Sequence, residues 1–364
     1  MPANISYGWV VVATGAVITC VAGGALFALP VYLQPMAAQT GWTHAAISSA
    51  MTLVFLVMAL SSFVWGALSD RIGARIVVLS GAVLLGVGLM LASQARTPLG
   101  FQLSYGLIVG AAGGAFFAPL IATTTLWFEN NVGLAVSLVS CGMGVAPLTF
   151  SPLTAWLVGE HGWRSAMLTI GIVALVLILP VALLIRRPSR PVIAQQDQSP
   201  ALHASGSDIA DALKRPQFIV LASAYFFCCA AHSGPIFHTI SYAMSCGVPA
   251  MAAVSIYSVE GLAGLGGRLL FGVAADRLGV KRVLITGLAL QALVIALYVF
   301  ARQLEQFYAL ALVLGTAYSG VMPLYAVLAR SYFSASIMGA VLGAATMASS
   351  IGMSFGPVAE TQAR

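Results

Sequence analysis

The chain has 364 residues, of which 60% are hydrophobic and only 7% are charged, against roughly 25% charged in ordinary soluble domains. This composition excludes a water-soluble globule, because too few polar side chains are present to cover its surface. The formal net charge of +6 does not indicate a nucleic-acid partner, since the basic residues stand in short loops and not in basic tracts interleaved with aromatic residues. Apolar runs long enough to cross about 30 Å of hydrocarbon recur along the chain. The sequence therefore predicts an all-α polytopic membrane protein embedded in a lipid bilayer.

Eleven apolar runs predict eleven membrane helices. Six precede the one long polar stretch and lie at residues 9–33, 45–68, 76–93, 99–126, 132–158 and 165–186. Five follow it and lie at residues 217–243, 250–274, 281–301, 304–329 and 335–358. We therefore predict an N-terminal six-helix bundle (residues 1–186), a linker (187–216) and a C-terminal bundle of five helices (217–364). Within the linker, Ser207 could cap a short amphipathic helix that reaches Lys214, with plain disorder as the alternative.

The distribution of Lys and Arg predicts the orientation of the helices, because cytoplasmic loops carry the excess of positive charge. When the loops between successive predicted helices are numbered, the even-numbered loops hold eleven Lys and Arg residues and the odd-numbered loops hold three. The amino terminus and the central linker are therefore expected in the cytoplasm. With eleven helices, the carboxyl terminus would lie outside.

One loop pattern occurs twice, after the second helix of each predicted half. The first copy consists of Gly66, Asp70, Arg71, Gly73 and Arg75. The second copy consists of Gly272, Asp276, Arg277, Gly279, Lys281 and Arg282. The matching aspartates are 206 residues apart, which indicates that the two halves are internal repeats of one bundle. We expect each first glycine to allow close helix approach, each aspartate to lie at the amino-terminal end of the next helix, and the basic residues to anchor these gating loops in the cytoplasm.

This repeated loop resembles the hallmark of the major facilitator superfamily, and the resemblance extends over residues 7–357. Several further motifs resemble its bacterial monocarboxylate and oxalate/formate antiporter branch. They are Tyr7-Gly8-Trp9, Trp127-Phe128, Gly133-Leu134-Ala135, Gly142-x-Gly144 with Pro147 and Pro152, Gly162-Trp163-Arg164, Gly267-Arg268 and Gly320 to Tyr325. The resemblance implies two pseudo-symmetric helical bundles in the cell (inner) membrane. It also implies a twelfth helix, whereas this sequence ends at Arg364, so a bundle of six plus five helices is expected.

Ionisable residues inside the predicted spans are candidates for function, because burying them in a membrane is costly. Arg268 lies two helical turns before Asp276, about 12 Å inward at 1.5 Å per residue. Its guanidinium could bind the carboxylate of an anionic substrate, and partial snorkelling towards the cytoplasm is the alternative. The resemblance implies the first role, since the matching arginine of related carriers contacts substrate. Many of those carriers place an acidic or amide residue one turn earlier, where this chain has Gly264.

Proton coupling must therefore use another residue. Glu260, near the middle of the same helix, could take up and release a proton, with a structural hydrogen bond as the alternative. His238, near the outer end of the seventh helix, could line an external vestibule or exchange protons near neutral pH. His232 lies deeper and is expected to be a packing residue. The resemblance further implies that Tyr325 faces the substrate. It also implies a substrate with one carboxylate, because the oxalate carriers have a lysine for a second carboxylate in the eleventh helix, where this chain has no Lys or Arg.

These observations predict a secondary transporter that moves a small monocarboxylate by alternating access, coupled to protons. No Walker A loop, H-E-x-x-H or G-x-S-x-G motif is present, so we expect neither an enzyme nor a nucleotide-binding protein, and no cofactor or metal. Two alternatives stay open. One is proton-coupled efflux of lipophilic or cationic compounds, which would depend on Glu260 and not on Arg268. The other is a transport-dead membrane protein, which the absence of a twelfth helix suggests.

Overall fold

The computed structural model describes residues 3–188 and 209–361, and within these ranges the chain is helical and has no strand. The predicted cap Ser207 lies outside the described residues. Helices of the first range are α1 (Ala3–Leu26), α2 (Leu29–Thr40), α3 (His44–Ile72), α4 (Ala74–Ser93), α5 (Pro98–Phe101), a π-helical segment (Gln102–Val109), α6 (Gly110–Gly113), α7 (Phe117–Thr125) and α8 (Val132–Ala182). Helices of the second range are α9 (Ile209–Lys214), α10 (Pro216–Ser245), α11 (Ala250–Leu278), α12 (Val280–Tyr298), α13 (Leu304–Val321), α14 (Leu324–Arg330), a short 3-10 turn (Ala335–Ile337) and α15 (Met338–Thr361).

The predicted spans are all found as helices in the described ranges. Nine helical segments there are long and apolar enough to cross a membrane. One of them, α8, covers two predicted helices in a single segment. The two helices meet at Gly162, where the backbone leaves the helical region with φ 76° and ψ 164°. α11 has 29 residues and covers one further predicted span. When α8 is counted as two spans and α11 is added, helices stand at all eleven predicted positions.

Large apolar side chains cover the outer surface of the helices. Leu60 is 65% exposed, Val220 is 67% exposed and Phe300 is 74% exposed. Such an extensive apolar surface is unusual for a monomer in water, but it is the surface that lipid tails cover in a bilayer. The exposure pattern therefore agrees with a multi-pass membrane protein.

Two helix pairs hold the first part of the chain against the second. α3 packs along α15, and α8 packs along α11. α3 leads into the first repeated loop, and α15 begins beside that loop. α11 leads into the second repeated loop, and α8 begins beside it. The contacts of the repeated loops described below lie at the ends of these two seams.

Candidate functional site

The two repeated loops have the same backbone shape. Gly73 follows α3 with φ 93° and ψ 144°, and Gly279 follows α11 with φ 92° and ψ 130°. Only glycine adopts this combination readily, because a Cβ would collide with the neighbouring backbone. The glycine of each motif thus lets the chain reverse directly from one helix into the next, and the repeat predicted from sequence is a repeat of structure in this part of the chain.

Each motif aspartate binds the first turn of a helix in the opposite half. The Asp70 carboxylate accepts hydrogen bonds from the backbone N–H groups of Gly339 and Ala340, both at 2.8 Å. The Asp276 carboxylate accepts those of Gly133 at 2.7 Å and of Leu134 at 2.9 Å.

The expectation that each aspartate serves the next helix in the chain is therefore wrong about the partner. A helix start offers N–H groups without intrahelical acceptors and a favourable dipole for a negative charge. These groups belong to α15 for the first loop and to α8 for the second.

Glycines bring the same helices into backbone contact. A Cβ added to Gly66 would lie 2.1 Å from the carbonyl oxygen of Gly339, and one added to Gly133 would lie 2.5 Å from that of Gly272. The first glycine of each motif therefore permits the close approach that the sequence predicted. We call this end of the molecule, with its two aspartate contacts and two glycine contacts, the closed end.

Arginines add contacts to the first loop. The Arg187 guanidinium donates to the backbone carbonyls of Asp70, at 3.2 Å, and of Ser69. Arg75 donates to the carbonyl of Leu183. These bonds fix the end of α3 and the start of α4 to the chain that follows α8.

A cavity of about 320 Å³ begins one helical turn from the closed end and lies between the two halves. Ser62 and Arg268 line the cavity and stand four residues before Gly66 and Gly272, which is about 6 Å along each helix. The backbone contacts of the closed end are therefore the floor of this cavity.

The cavity wall is mostly apolar, with a limited set of polar groups. Its apolar side chains include Leu26, Phe27, Phe55, Met58, Phe116, Phe117, Met143, Met322 and Met353. Its polar side chains are Thr19, Ser62, Ser140, Tyr225, Cys229, Arg268, Tyr318, Thr346, Ser349 and Ser350. Among these described lining residues, Arg268 is the one that carries a permanent charge.

The Arg268 guanidinium crosses the cavity floor. Its Nη1 donates to the backbone carbonyl of Ser140 on α8, while its Nε is buried and has no hydrogen-bond partner. Within residues 3–188 and 209–361, no Asp or Glu oxygen lies within 4.0 Å of it. Arg268 thus offers unused N–H groups and an uncompensated positive charge, and it points into the cavity and not along a snorkelling path to the loop.

Glu260 lies next to His232, a contact that was not predicted from the sequence. His232 Nε2 on α10 is 3.5 Å from Glu260 Oε1 on α11, and the two residues are 1% and 8% exposed. The His232 ring also stacks on Tyr318, with ring centroids 3.4 Å apart and an angle of 10° between planes. Because Tyr318 lines the cavity, the buried pair is one aromatic ring away from it.

Depth along the helices could have indicated this pair. Consecutive membrane helices run in opposite directions, so residues at similar distances from their shared loop lie at similar depth. His232 is 14 residues before Cys246, and Glu260 is 11 residues after Pro249, which places both near mid-membrane at 1.5 Å per residue.

His238 and Tyr325 lie outside the cavity. His238 lines a separate pocket of about 400 Å³ with Thr239, Tyr242 and Tyr298. Tyr325 is 1% exposed, donates to the carbonyl of Ala224 at 3.1 Å and stacks on Tyr225 with ring centroids 4.1 Å apart. Tyr225, which is not among the candidates predicted from the sequence, is therefore the tyrosine of this stack that reaches the cavity.

Comparison with known proteins gives a consistent picture. The family model for the Major Facilitator Superfamily matches residues 15–357. The chain is 27% identical over 324 residues to monocarboxylate transporter 13 of Bos taurus, covering 88% of this chain and 74% of that protein. It is 25% identical over 292 residues to the oxalate:formate antiporter of Oxalobacter formigenes, covering 80% and 68%. Among solved structures, the transporter FucP in its outward conformation superposes with a TM-score of 0.76 at 15% identity, covering 96% of this chain and 91% of that one.

Proposed function

The chain belongs to the major facilitator superfamily, and on that premise we propose that it is a secondary transporter of a small organic anion with one carboxylate. The observation that carries this proposal is Arg268, a guanidinium with a buried and unpaired Nε at the floor of the central cavity. A cation that is removed from water without a counter-ion is strongly unfavourable. A bound carboxylate relieves this cost and accepts two parallel hydrogen bonds from the planar guanidinium.

The remaining cavity favours a small and partly apolar ligand. Pockets for small molecules have volumes of about 300–1,000 Å³, and this one, at about 320 Å³, is at the lower limit. Phe27, Phe55 and Met143 would cover the hydrocarbon part of the ligand, while Ser140 and Tyr318 offer hydroxyl groups. Since the described lining holds a single permanent cation, a second carboxylate would find no partner.

The relatives support the same substrate class. One is named a monocarboxylate transporter and another an oxalate:formate antiporter, and both names describe carriers of small carboxylates. No family of enzymes is indicated by the matches. Two of the motifs that resemble this branch lie near the proposed site: Arg268 lines the cavity, and Gly133 packs against Gly272 at the α8–α11 seam.

Alternating access would proceed by opening the closed end. Opening requires the release of four N–H groups from Asp70 and Asp276 and the separation of the glycine contacts. The Lys and Arg residues of the repeated loops lie at the closed end, and an excess of positive charge is typical of cytoplasmic loops. We therefore place the closed end in the cytoplasm, and we assign the chain to the cell (inner) membrane. The two bodies that rock about the cavity would be the predicted bundles, residues 1–186 and 217–364.

We further propose proton coupling through Glu260. Of the two predicted proton carriers, Glu260 is one ring from the cavity, whereas His238 lines another pocket. Efflux of lipophilic cations is the competing function, and it would leave Arg268 as an unfavourable charge beside its ligand.

Thermal melts of the detergent-purified full-length protein would test the proposal. A ligand that binds the folded form raises the melting temperature by mass action. We expect small monocarboxylates to stabilise the wild type and not Arg268→Ala, while lipophilic cations have no effect. The matched control is Arg96→Ala, which removes an exposed arginine outside the cavity and should keep the carboxylate response. Stabilisation by cations alone, or an equal carboxylate response in Arg268→Ala, would contradict the proposal.

A further inference from the structure

We propose that the proton is bound by Glu260 and His232 as a pair, and that this pair neutralises the charge brought in by the anion on Arg268. The inference rests on the proposed transport of a carboxylate and adds to it the identity and chemistry of the proton site. His232 is included because of its position beside Glu260, whereas its sequence context predicts only a packing role.

The pair has spare hydrogen-bonding capacity in a buried position. Glu260 Oε1 faces His232 Nε2 at 3.5 Å, a distance that is longer than a good hydrogen bond. Glu260 Oε2 and His232 Nδ1 are buried and have no hydrogen-bond partner. Buried polar atoms are rarely left unsatisfied, so the contact has room to tighten when a proton is added between the two side chains.

The surroundings add no compensating charge. Tyr257 on α11 and Tyr298 on α12 interact electrostatically with Glu260. The ring of Tyr318 on α13 stacks on His232. Gln291 on α12, which could have faced the pair, instead exchanges hydrogen bonds with Cys228. In the described part of the chain, no Lys or Arg side chain lies within 4.0 Å of Glu260.

Charge balance then fixes when the proton binds. In the empty carrier, an ionised Glu260 beside a neutral His232 makes the net charge of the buried interior zero, but it forms no ion pair with Arg268 and leaves that guanidinium free for the anion. A bound carboxylate adds one negative charge, which a low-dielectric interior disfavours. One proton taken up by the pair from the open side restores neutrality, and no other bond forms or breaks. The result is electroneutral symport of one anion with one proton.

Tyr318 connects the two sites. One face of its ring stacks on His232, and the residue also lines the cavity with Arg268. A ligand on Arg268 that displaces the Tyr318 ring would therefore move His232 relative to Glu260. Tyr318 acts here as a positioning residue through its ring and not through its hydroxyl.

Full-length protein in liposomes separates anion transport from proton coupling. Radiolabelled formate, lactate and pyruvate are tested in parallel in two assays, exchange at equal pH and uptake driven by an imposed pH gradient. One pH unit is a tenfold ratio of proton concentration across the membrane. For one-to-one symport, this gradient should therefore raise the ratio of anion inside to anion outside by about tenfold in the wild type. We expect Glu260→Gln and His232→Gln to keep exchange and to lose this accumulation. Tyr318→Leu, which removes the ring stacked on His232, should change the pH profile of uptake.

Matched variants make the outcome decisive. Glu305→Gln makes the same chemical change at an exposed position on α13 and should retain gradient-driven uptake. The inference is overturned if Glu260→Gln and His232→Gln exchange the anion and still respond fully to the gradient, or if His238→Gln alone abolishes the response. If the wild type exchanges none of the three anions, it is the proposed function that fails.

Discussion

The two halves of the molecule are alike at the closed end and unlike in the cavity. At the closed end, Asp70 and Asp276 make matching pairs of hydrogen bonds to the first turns of α15 and α8. In the cavity, the first half contributes mainly Phe, Leu and Met side chains with three hydroxyl groups, whereas Arg268, Tyr225, Cys229 and Tyr318 all come from the second half. The buried Glu260 and His232 belong to the second half as well.

This contrast indicates which part of a duplicated bundle must stay symmetric. In the proposed mechanism, rocking requires both seams to close and open together, so a change in one seam must be matched in the other. The proposed anion needs only one charged group, and a second guanidinium facing the first would add repulsion in a low-dielectric space. Symmetric seams and an asymmetric cavity are therefore compatible in one protein.

The largest effect on the closed end should follow from adding a methyl group to a seam. In Gly272→Ala the new Cβ would lie 2.4 Å from Ser137 Oγ and 2.8 Å from the carbonyl oxygen of Gly133, and such overpacking costs up to about 3 kcal/mol. We expect faster hydrogen exchange at the start of α8, measured by mass spectrometry. Gly266→Ala on the same helix meets no atom within 4 Å and should exchange like the wild type.

Gly66→Ala extends that test to the other seam. Its Cβ would meet a backbone oxygen at 2.1 Å, which cannot rotate away as a serine side chain can. Protection at the start of α15 should therefore fall at least as much as protection at the start of α8 falls in Gly272→Ala. Unchanged exchange in both variants would show that the seams are not tightly closed in solution.

A smaller and equal effect is expected from the two aspartates. Asp70→Asn and Asp276→Asn each remove the negative charge that strengthens a pair of hydrogen bonds. A hydrogen bond to a charged group contributes about 1.5–3 kcal/mol, and the asparagine oxygen keeps part of this. Exchange should increase over Met338–Val341 in the first variant and over residues 132–136 in the second. A large effect in only one of them would break the symmetry drawn between the two loops.

The smallest effect concerns the stacked tyrosines. Tyr325→Phe loses one hydrogen bond to the carbonyl of Ala224, worth about 1 kcal/mol, so the melting temperature should fall slightly while the KM for the anion stays the same. Tyr225→Phe, which alters a hydroxyl-bearing side chain of the cavity wall, should change KM. The reverse result would support the sequence-based prediction that Tyr325 contacts the substrate.

The sequence predicted the helices better than it predicted their contacts. Apolar length determines where a helix can cross a membrane, and it indicated helices at all eleven positions, although the first helical segment runs on to Thr40, seven residues beyond the predicted end. The repeated loop also revealed the twofold pattern, because Gly73 and Gly279 are required by a backbone shape that is local in sequence.

Contacts between distant parts of the chain were harder to predict. Asp70 binds Gly339, 269 residues away, and no local pattern distinguishes that helix start from the nearer one. Tyr325 was expected in the cavity from a family motif, but packing against Tyr225 decides which ring of the stack reaches it. Arg268 was identified because a deep charge is rare, whereas His232 was passed over because its importance depends on a partner in another helix.

The central claim is that Arg268 recognises a carboxylate by its charge. Isothermal titration at one fixed pH would compare lactate with lactamide, its neutral isostere, on the wild type, Arg268→Ala and the Arg96→Ala control. Removing one partner of a buried charge pair costs about 2 kcal/mol or more, which is roughly a 30-fold loss of affinity. We expect the wild type and the control to bind lactate and not lactamide, and Arg268→Ala to lose lactate binding by at least that factor. Equal affinity for lactate in all three proteins, or binding of lactamide as strong as that of lactate, would contradict the account.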